Sequence, residues 1–149
     1  RILVVSSSPQ IRYPDCYGID MAKLGDFIAF RAAIALLRER NMEEVITEVY
    51  NTSLLQKDFP KEDIVNHVKE IYKPFTAEEI SGKIAEMLAS EQVNAQVDIL
   101  YQSIENLHEA VPNDTGDWYF TGNYPTPGGN RVVNNSFINF LENRNQRGY

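Results

Sequence analysis

Two short apolar runs stand out along the chain as predicted β-strands. Residues 2–5 (Ile-Leu-Val-Val) are too few for a helix and lead into the polar run SSSP, which indicates a strand buried on both faces, as in a parallel sheet. Residues 97–101 (VDILY) predict a second strand. Two buried strands do not make a stable parallel sheet by themselves. Either further strands come from elsewhere or these two are the edge of a larger sheet, and we interpret the chain as the C-terminal piece of a longer polypeptide.

Between these strands the apolar positions recur at helical spacing, which predicts a mostly helical chain. An almost wholly apolar helix is expected over residues 23–40, ended by Asn41, and an amphipathic helix over residues 42–57. A third helix is expected to begin at residues 58–60, because Pro60 suits a first helical turn. Its inward-facing positions would be Ile64, Val65, Val68, Ile71 and Tyr72.

Capping signals and periodicity predict three further helices. The run TAEE at residues 76–79 is a capping box. The helix that it starts is expected to bury Ile80, Ile84, Met87 and Leu88. Ser103 is expected to cap a short helix, and a final helix is predicted over about residues 136–143. Residues 113–115 and the Gly128-Gly129 pair predict turns. The predicted fold class is α/β, mostly helical with few strands.

Composition narrows the possible partners. The 149 residues carry a net charge of −7, which argues against nucleic acids and anionic membranes as partners. No apolar run approaches the roughly 20 residues that a membrane helix requires. One cysteine and two histidines exclude an internal disulfide framework and leave too few good ligands for structural zinc. These features favour a cytoplasmic protein.

Two segments of uncommon residue types carry a resemblance to a known family. The first reads PQIRYPDCYGIDM over residues 9–21, and its matching positions are Pro9, Ile11, Arg12, Tyr13, Pro14, Tyr17, Gly18, Ile19, Asp20 and Met21. The second reads YFTGNYPT over residues 119–126 and matches an element near the C-terminus of the same family. Together they resemble the glutamine amidophosphoribosyltransferases, which act on phosphoribosyl pyrophosphate (PRPP).

The resemblance implies a fold and a division of the chain. The fold would be the C-terminal part of a type I phosphoribosyltransferase domain, built on a Rossmann-like parallel sheet. Residues 1–29 would form the edge of that domain, with a strand, a hood loop and the start of a helix. Residues 30–75 would be a helical insertion. Residues 76–149 would add the last strand, further helices and an aromatic loop to the same domain.

The resemblance also implies an activity. Members of the family are glycosyltransferases of purine biosynthesis that transfer ammonia from glutamine to PRPP and form 5-phosphoribosylamine. This reaction uses a nucleophilic cysteine and Mg²⁺ bound with PRPP, and the resemblance places both outside these residues. We therefore expect no catalytic residue and no metal ligand in this chain, and no activity from the chain alone. The implied partners are PRPP, glutamine, purine nucleotides as feedback inhibitors, and further copies in a homo-oligomer.

Several residues are expected to face a ligand. In the family, the segment after the first strand forms part of a hood over the acceptor and borders an ammonia channel and a nucleotide site. The hood or nucleotide-facing candidates carried over are Arg12, Tyr17, Gly18, Ile19 and Asp20, and Phe27 is the ammonia-channel candidate. Arg12 could instead pair with an acid across the sheet. Asp20 could instead be a carboxylate favoured at a helix N-terminus.

Some members of the family bind an iron–sulfur cluster through cysteines at positions that this chain fills differently. The corresponding positions here are Asp15, Gly116 and Tyr119, and Cys16 stands one place out of register. Because such clusters are usually held by four thiolates, the chain resembles the cluster-free branch. Cys16 is then expected to be a packed thiol.

Two other classes of protein stay open. One is a non-catalytic regulatory relative that binds a purine nucleotide without transferring ammonia. The other is a helical protein-interaction module formed by residues 30–75. In the latter case, we expect apolar side chains to remain exposed on these helices, because exposed apolar patches mark interfaces.

Overall fold

The computed structural model describes residues 1–17, 21–89, 94–113 and 116–149. Over these ranges the chain is an α/β protein, mostly helical, with one small parallel sheet. The strands are β1 (Ile2–Ser6) and β2 (Val97–Tyr101). The helices are α1 (Ile28–Glu39), α2 (Glu43–Leu55), α3 (Lys69–Tyr72), α4 (Ala77–Leu88), α5 (Ile104–Ala110), α6 (Trp118–Thr121) and α7 (Pro127–Leu141). None of the helices in these ranges is long and apolar enough to cross a membrane.

The sheet has two strands in the described part of the chain, and both are where the sequence predicts them. β1 and β2 pair in parallel, from Ile2 opposite Val97 to Ser6 opposite Tyr101. The prediction that β1 is buried on both faces is wrong, because Leu3 is 58% exposed and Val5 is 65% exposed. β1 is exposed because α4 packs against β2 and does not cover β1.

The core is built mainly from helices. α1 lies at its centre and has neighbours in α2, α3 and α4. The ring of Phe30, which is fully buried, meets Phe137 of α7 edge-on, with ring centroids 6.0 Å apart. α4 contributes Ile80 and Ile84 to the same core. Residues 30–75 thus share one core with the helices that follow them, and the domain boundaries drawn above stay a prediction.

Three local signals in the sequence are confirmed. Asn41 ends the first helix with a left-handed backbone (φ 55°), which asparagine tolerates well. Thr76 and Glu79 form both bonds of the predicted capping box: the Glu79 N–H donates to Thr76 Oγ1 (3.1 Å), and the Thr76 N–H donates to the Glu79 carboxylate (2.8 Å). The Ser103 hydroxyl accepts a bond from the Asn106 N–H and begins α5.

The predicted third helix is wrong over most of its length. Residues 61–63 form a 3₁₀ turn, the backbone at Ile64 is extended, and a helix resumes only at α3. Asparagine side chains replace the missing helical bonds: Asn130 donates to the Ile64 carbonyl and Asn134 to the Val65 carbonyl, both at 2.8 Å. Asn66 accepts from the backbone two residues later (3.1 Å), a local bond that competes with helix.

The C-terminal half departs from prediction in three places. The last helix begins at Pro127 rather than at residue 136, so the Gly128-Gly129 pair lies in its first turn. Gly129 is required there, because a Cβ would stand 2.3 Å from the Tyr124 ring. Leu88, predicted to be buried, is 52% exposed. The turn predicted over residues 113–115 lies partly outside the described residues.

Candidate functional site

The segment of residues 9–17 follows β1 at the carboxyl end of the sheet, where open α/β sheets place ligands. It forms neither helix nor strand. Three consecutive residues in it are nevertheless buried: Tyr13, Pro14 and Asp15. Buried carbonyls outside regular structure need hydrogen-bond donors from elsewhere.

Tyrosine hydroxyls from distant parts of the chain supply those donors. We call these four residues the tyrosine clamp: Tyr72, Tyr119, Tyr124 and Tyr149. Tyr72 donates to the Arg12 carbonyl at 2.6 Å. Tyr124 donates to the Pro14 carbonyl at 2.7 Å. Tyr149 donates to the Asp15 carbonyl, and Tyr119 donates to the carboxylate oxygen Oδ1 of Asp15, both at 2.9 Å. The clamp therefore holds residues 12–15 in one conformation.

Three hydroxyls of the clamp, those of Tyr72, Tyr119 and Tyr124, are held in the protonated state that donates. Burial raises the pKa of Tyr72 and Tyr124 well above the ordinary tyrosine value. Burial, assisted by the hydrogen bond to Asp15, raises the pKa of Tyr119 to about 12. Each of these three residues is consequently neutral and able to donate at physiological pH.

The two segments that carry the family resemblance lie against each other. The backbone N–H groups of Arg12 and Tyr13 both donate to the carbonyl of Tyr119, at 2.8 and 3.1 Å. Gly122 has a left-handed backbone (φ 69°), and a Cβ there would lie 2.8 Å from the Tyr13 ring. Glycine at this position lets the second segment close over the first.

Arg12 projects from the clamped segment and is held by neutral groups. Its Nε and Nη2 atoms donate to Oε1 of Gln10 at 3.1 and 2.7 Å. Its guanidinium carbon lies 5.3 Å from the centroid of the Tyr72 ring. No carboxylate in the described ranges forms an ion pair with it. The alternative that Arg12 pairs with an acid is therefore not found among these residues.

A cleft of about 850 Å³ opens beside Arg12. Its walls are α4 and β2, and α4 presents small side chains to it: Ala77, Ser81, Gly82 and Ala85. Two of the acids on its walls already have cationic partners. Arg1 binds Asp98 at 2.7 Å, and Lys83 binds Glu86 at 2.8 Å.

The remaining predicted site residues are placed differently. Tyr17 is 60% exposed and meets the Trp118 ring edge-on, with centroids 5.7 Å apart. Phe27 is only 6% exposed and packs in the helical core, and it is not among the residues that line the cleft. Gly18, Ile19 and Asp20 lie outside the described residues. The structure thus places Arg12 at the cleft and Tyr17 on an aromatic surface, and the channel role of Phe27 stays a prediction.

Two positions that the family resemblance would match to cluster cysteines are in direct contact here. They are Asp15 and Tyr119, which are joined by the hydrogen bond described above. Cys16 beside them is a free thiol, half-buried, whose pKa is raised first by burial and then by the charge of Asp15. No group of three or more His, Cys, Asp or Glu side chains suited to a metal occurs in the described ranges.

Sequence reasoning missed several residues that build this site. Gln10 is 4% exposed and connects Arg12 to α4, because its amide donates to the Ala77 carbonyl (2.7 Å) and the Ser81 hydroxyl (2.8 Å). The sequence pattern predicts Tyr72 only as an inward-facing position of a helix. The one available signal was the proline content of residues 9–14, which removes backbone donors and predicts a need for side-chain donors elsewhere.

No protein-family model, no curated protein and no solved structure matches this chain. A functional conclusion therefore depends on the residues themselves and on their geometry.

Proposed function

We propose that this chain is the C-terminal part of a glutamine amidophosphoribosyltransferase, an enzyme that transfers ammonia from glutamine to PRPP to give 5-phosphoribosylamine. In this proposal, residues 9–17 form one wall of the acceptor site. The site for Mg²⁺-bound PRPP and the cysteine that releases ammonia belong to other parts of a longer, cytoplasmic polypeptide. Within the described ranges, no side chain is assigned a chemical step.

One observation carries the proposal. The two segments that resemble the family are separated by about a hundred residues in the sequence, yet they pack together at the carboxyl end of β1. If the resemblance of each short segment were accidental, nothing would require the two to meet. Their contact includes three hydrogen bonds between Tyr119 and the first segment, two accepted by its carbonyl and one donated by its hydroxyl, and a close fit of Gly122 to Tyr13. This contact supports the proposal that the two segments contribute to one site.

The exposed sheet supports the same proposal. β1 has the composition of a strand from a parallel sheet, and such sheets are normally covered on both faces. Here Leu3, Val5 and Leu100 share one face by register, and each is more than half exposed. We propose that the two strands are the edge of the larger phosphoribosyltransferase sheet, whose remaining strands and helices cover this face.

The test is pyrophosphate release from PRPP in the presence of glutamine and Mg²⁺. It is measured on the polypeptide that contains this chain and on the 149 residues alone. We expect release from the longer protein, its loss when glutamine or Mg²⁺ is omitted, and none from the 149 residues. No release from a folded longer protein that still binds a purine nucleotide would favour the regulatory relative. Release by the 149 residues alone would overturn the placement of the chemistry.

A second role, in self-association, is favoured by apolar side chains near the end of α2. Leu55 is 72% exposed, Val65 56% and Phe59 45%. We propose that they form a contact between copies in a homo-oligomer, since exposed apolar groups near one another mark interfaces. Light scattering of Leu55→Lys tests this, with Leu88→Lys as the matched control because Leu88 is also exposed but lies on α4. If Leu55→Lys leaves the molar mass in solution unchanged, the proposal is contradicted.

A further inference from the structure

One member of the tyrosine clamp lies on a different kind of segment from the others. Tyr72 and Tyr119 lie in helices α3 and α6, whereas Tyr149 follows residues 144–148, which form neither helix nor strand. We call residues 144–149 the strap. The strap has no apolar side chain before Tyr149, so little burial of apolar surface holds it against the fold.

The strap runs back along α7. Asn143, just after α7, has a left-handed backbone (φ 54°), which ends the helix and turns the chain. The side chain of Asn139 donates to two strap carbonyls, those of residues 146 and 147, at 3.4 and 3.1 Å. One helical turn earlier, the side chain of Asn135 donates to the Gly148 carbonyl at 3.0 Å. The strap is therefore antiparallel to α7, and side chains of α7 bond its backbone.

The strap meets α7 most closely at Gly148. This residue is buried, although Arg147 and Tyr149 on either side of it are exposed. A Cβ at Gly148 would lie 2.1 Å from the backbone oxygen of Val132 and 3.0 Å from the backbone nitrogen of Ser136. Both are backbone atoms of a helix and cannot easily move aside. Glycine is therefore required for the strap to dock in this position.

The docked strap brings the Tyr149 hydroxyl beside Cys16. That hydroxyl donates to the carbonyl of Asp15, the residue before Cys16, at 2.9 Å. Cys16 and Tyr149 also lie near one further tyrosine, Tyr124. Burial raises the pKa of Tyr124 well above its usual range, and the charges of Cys16 and Tyr149 add to the effect. Cys16 is a half-buried free thiol and the one cysteine in the sequence.

The exposure of the strap favours local opening. Gly148 is the one buried residue of the six in the strap. The bonds from Asn135 and Asn139 are neutral hydrogen bonds near the surface. Arg144 binds Glu142 at 2.8 Å, but both residues lie at the same end of the strap. Segments with few buried apolar contacts and exposed hydrogen bonds open at a much lower free energy than the whole fold.

We propose that the strap is a detachable closure over Asp15 and Cys16. When docked, it completes the tyrosine clamp; when detached, it releases the Asp15 carbonyl and opens the surroundings of Cys16 to solvent while Tyr72 and Tyr124 stay in place. The chain thus has a local device that changes the candidate site without unfolding. The inference goes beyond the transferase function and does not depend on it, because it concerns an equilibrium of the chain without substrate.

The test is the rate at which Cys16 reacts with iodoacetamide under native conditions, followed by mass spectrometry. Loss of one neutral hydrogen bond corresponds to about a 2-fold to 10-fold change in an equilibrium constant, so Tyr149→Phe should accelerate the reaction by that factor. Gly148→Ala introduces an overlap and should accelerate it roughly 5-fold to 100-fold. Tyr101→Phe and Gly128→Ala are the matched controls, because they make the same chemical changes in β2 and in the first turn of α7. Both should leave the rate unchanged.

A variant distant from the thiol shows whether the strap moves as one unit. Asn139 bonds the strap at residues 146 and 147, so Asn139→Ala should also accelerate the reaction by about 2-fold to 10-fold. This variant and Tyr149→Phe keep the test decisive if Gly148→Ala does not fold, which near-UV circular dichroism detects. Urea gives a second check: detachment exposes little surface, so the rate should depend on urea much more weakly than global unfolding does.

Three results would overturn the proposal. The first is an unchanged rate in folded Tyr149→Phe. The second is acceleration by Tyr149→Phe without acceleration by Asn139→Ala, which would mean that Tyr149 acts only on its immediate neighbours. The third is a urea dependence equal to that of global unfolding. Because no substrate is present in these experiments, each result leaves the transferase proposal to be decided by its own assay.

Discussion

Replacing Tyr119 by phenylalanine isolates one bond of the tyrosine clamp. The change removes the hydroxyl that donates to Asp15 at 2.9 Å and keeps the ring that stacks on Trp118. Asp15 is 1% exposed, so water does not easily replace the lost donor. A hydrogen bond to a charged group contributes about 1.5–3 kcal/mol. Because Tyr119 is only half-buried and the Tyr17 N–H still donates to Asp15, we expect the lower end, about 1.5 kcal/mol.

The expected loss converts into a measurable change in melting temperature. Unfolding entropy near the midpoint is about 2.1 cal/mol/K per residue, or about 0.3 kcal/mol/K for a chain of 149 residues. Tyr119→Phe should therefore lower the melting temperature by about 5 °C in differential scanning calorimetry at pH 7. Tyr50→Phe is the matched control, because Tyr50 also donates to a carboxylate, that of Glu142 at 2.8 Å, but does so near the surface. The control should show no resolvable shift.

The pH dependence gives an independent check on the same bond. The pKa of Tyr119 is raised to about 12 in the folded chain, above the ordinary value of 10.0. The unfolded chain therefore loses this proton first as pH rises, and stability falls with pH between those two values. The stability difference between the parent and Tyr119→Phe is full below pH 10 and should shrink above it. Equal melting temperatures for Tyr119→Phe and Tyr50→Phe, or a difference that does not change up to pH 11.5, would refute this account of the clamp.

Three further measurements test the fold around the site. Gly129→Ala should lower stability by about 1–3 kcal/mol because its Cβ would overlap the Tyr124 ring; Gly128→Ala, whose Cβ has room, should be neutral or slightly stabilising in the same urea titration. Thr76→Ala should cost about 1 kcal/mol through loss of the α4 cap, and Thr76→Ser should restore most of it. Absorbance at 295 nm should show Tyr72 and Tyr124 ionising only as the chain unfolds above pH 10, whereas a smooth titration of all eight tyrosines in the folded chain would contradict the burial described here.

Features set by residues adjacent in the sequence could be predicted, and features set by distant partners could not. The capping box needs only Thr76 and Glu79, and the end of α1 needs only the tolerance of Asn41 for a left-handed backbone. The prediction of the third helix is wrong because the backbone there is held by the side chains of Asn130 and Asn134, which are more than sixty residues away in the sequence. Apolar spacing alone cannot show that such donors will arrive.

The candidate site divides in the same way. Arg12 and Tyr17 are predicted as site residues through the family resemblance of the motif in which they lie. The bonds that give Arg12 its position come from Gln10 and Tyr72, whose roles have no pattern of their own in the sequence. A tyrosine at an inward helical position is indistinguishable from an apolar core residue until the path of the partner backbone is known.

The burial of β1 was predicted incorrectly, and the direction of the error is informative. Composition predicts the environment in which a strand is stable, and the residues of β1 are those of a covered strand. The structure leaves Leu3 and Val5 more than half exposed, while the segment immediately after them is fixed by four tyrosine hydroxyls. A chain that anchors the carboxyl end of a strand so firmly, and leaves the apolar faces of that strand open, has stabilised the segment after that strand independently of the sheet. This combination is what the proposed larger sheet requires, since its edge must keep the hood segment in place while the open face receives its cover.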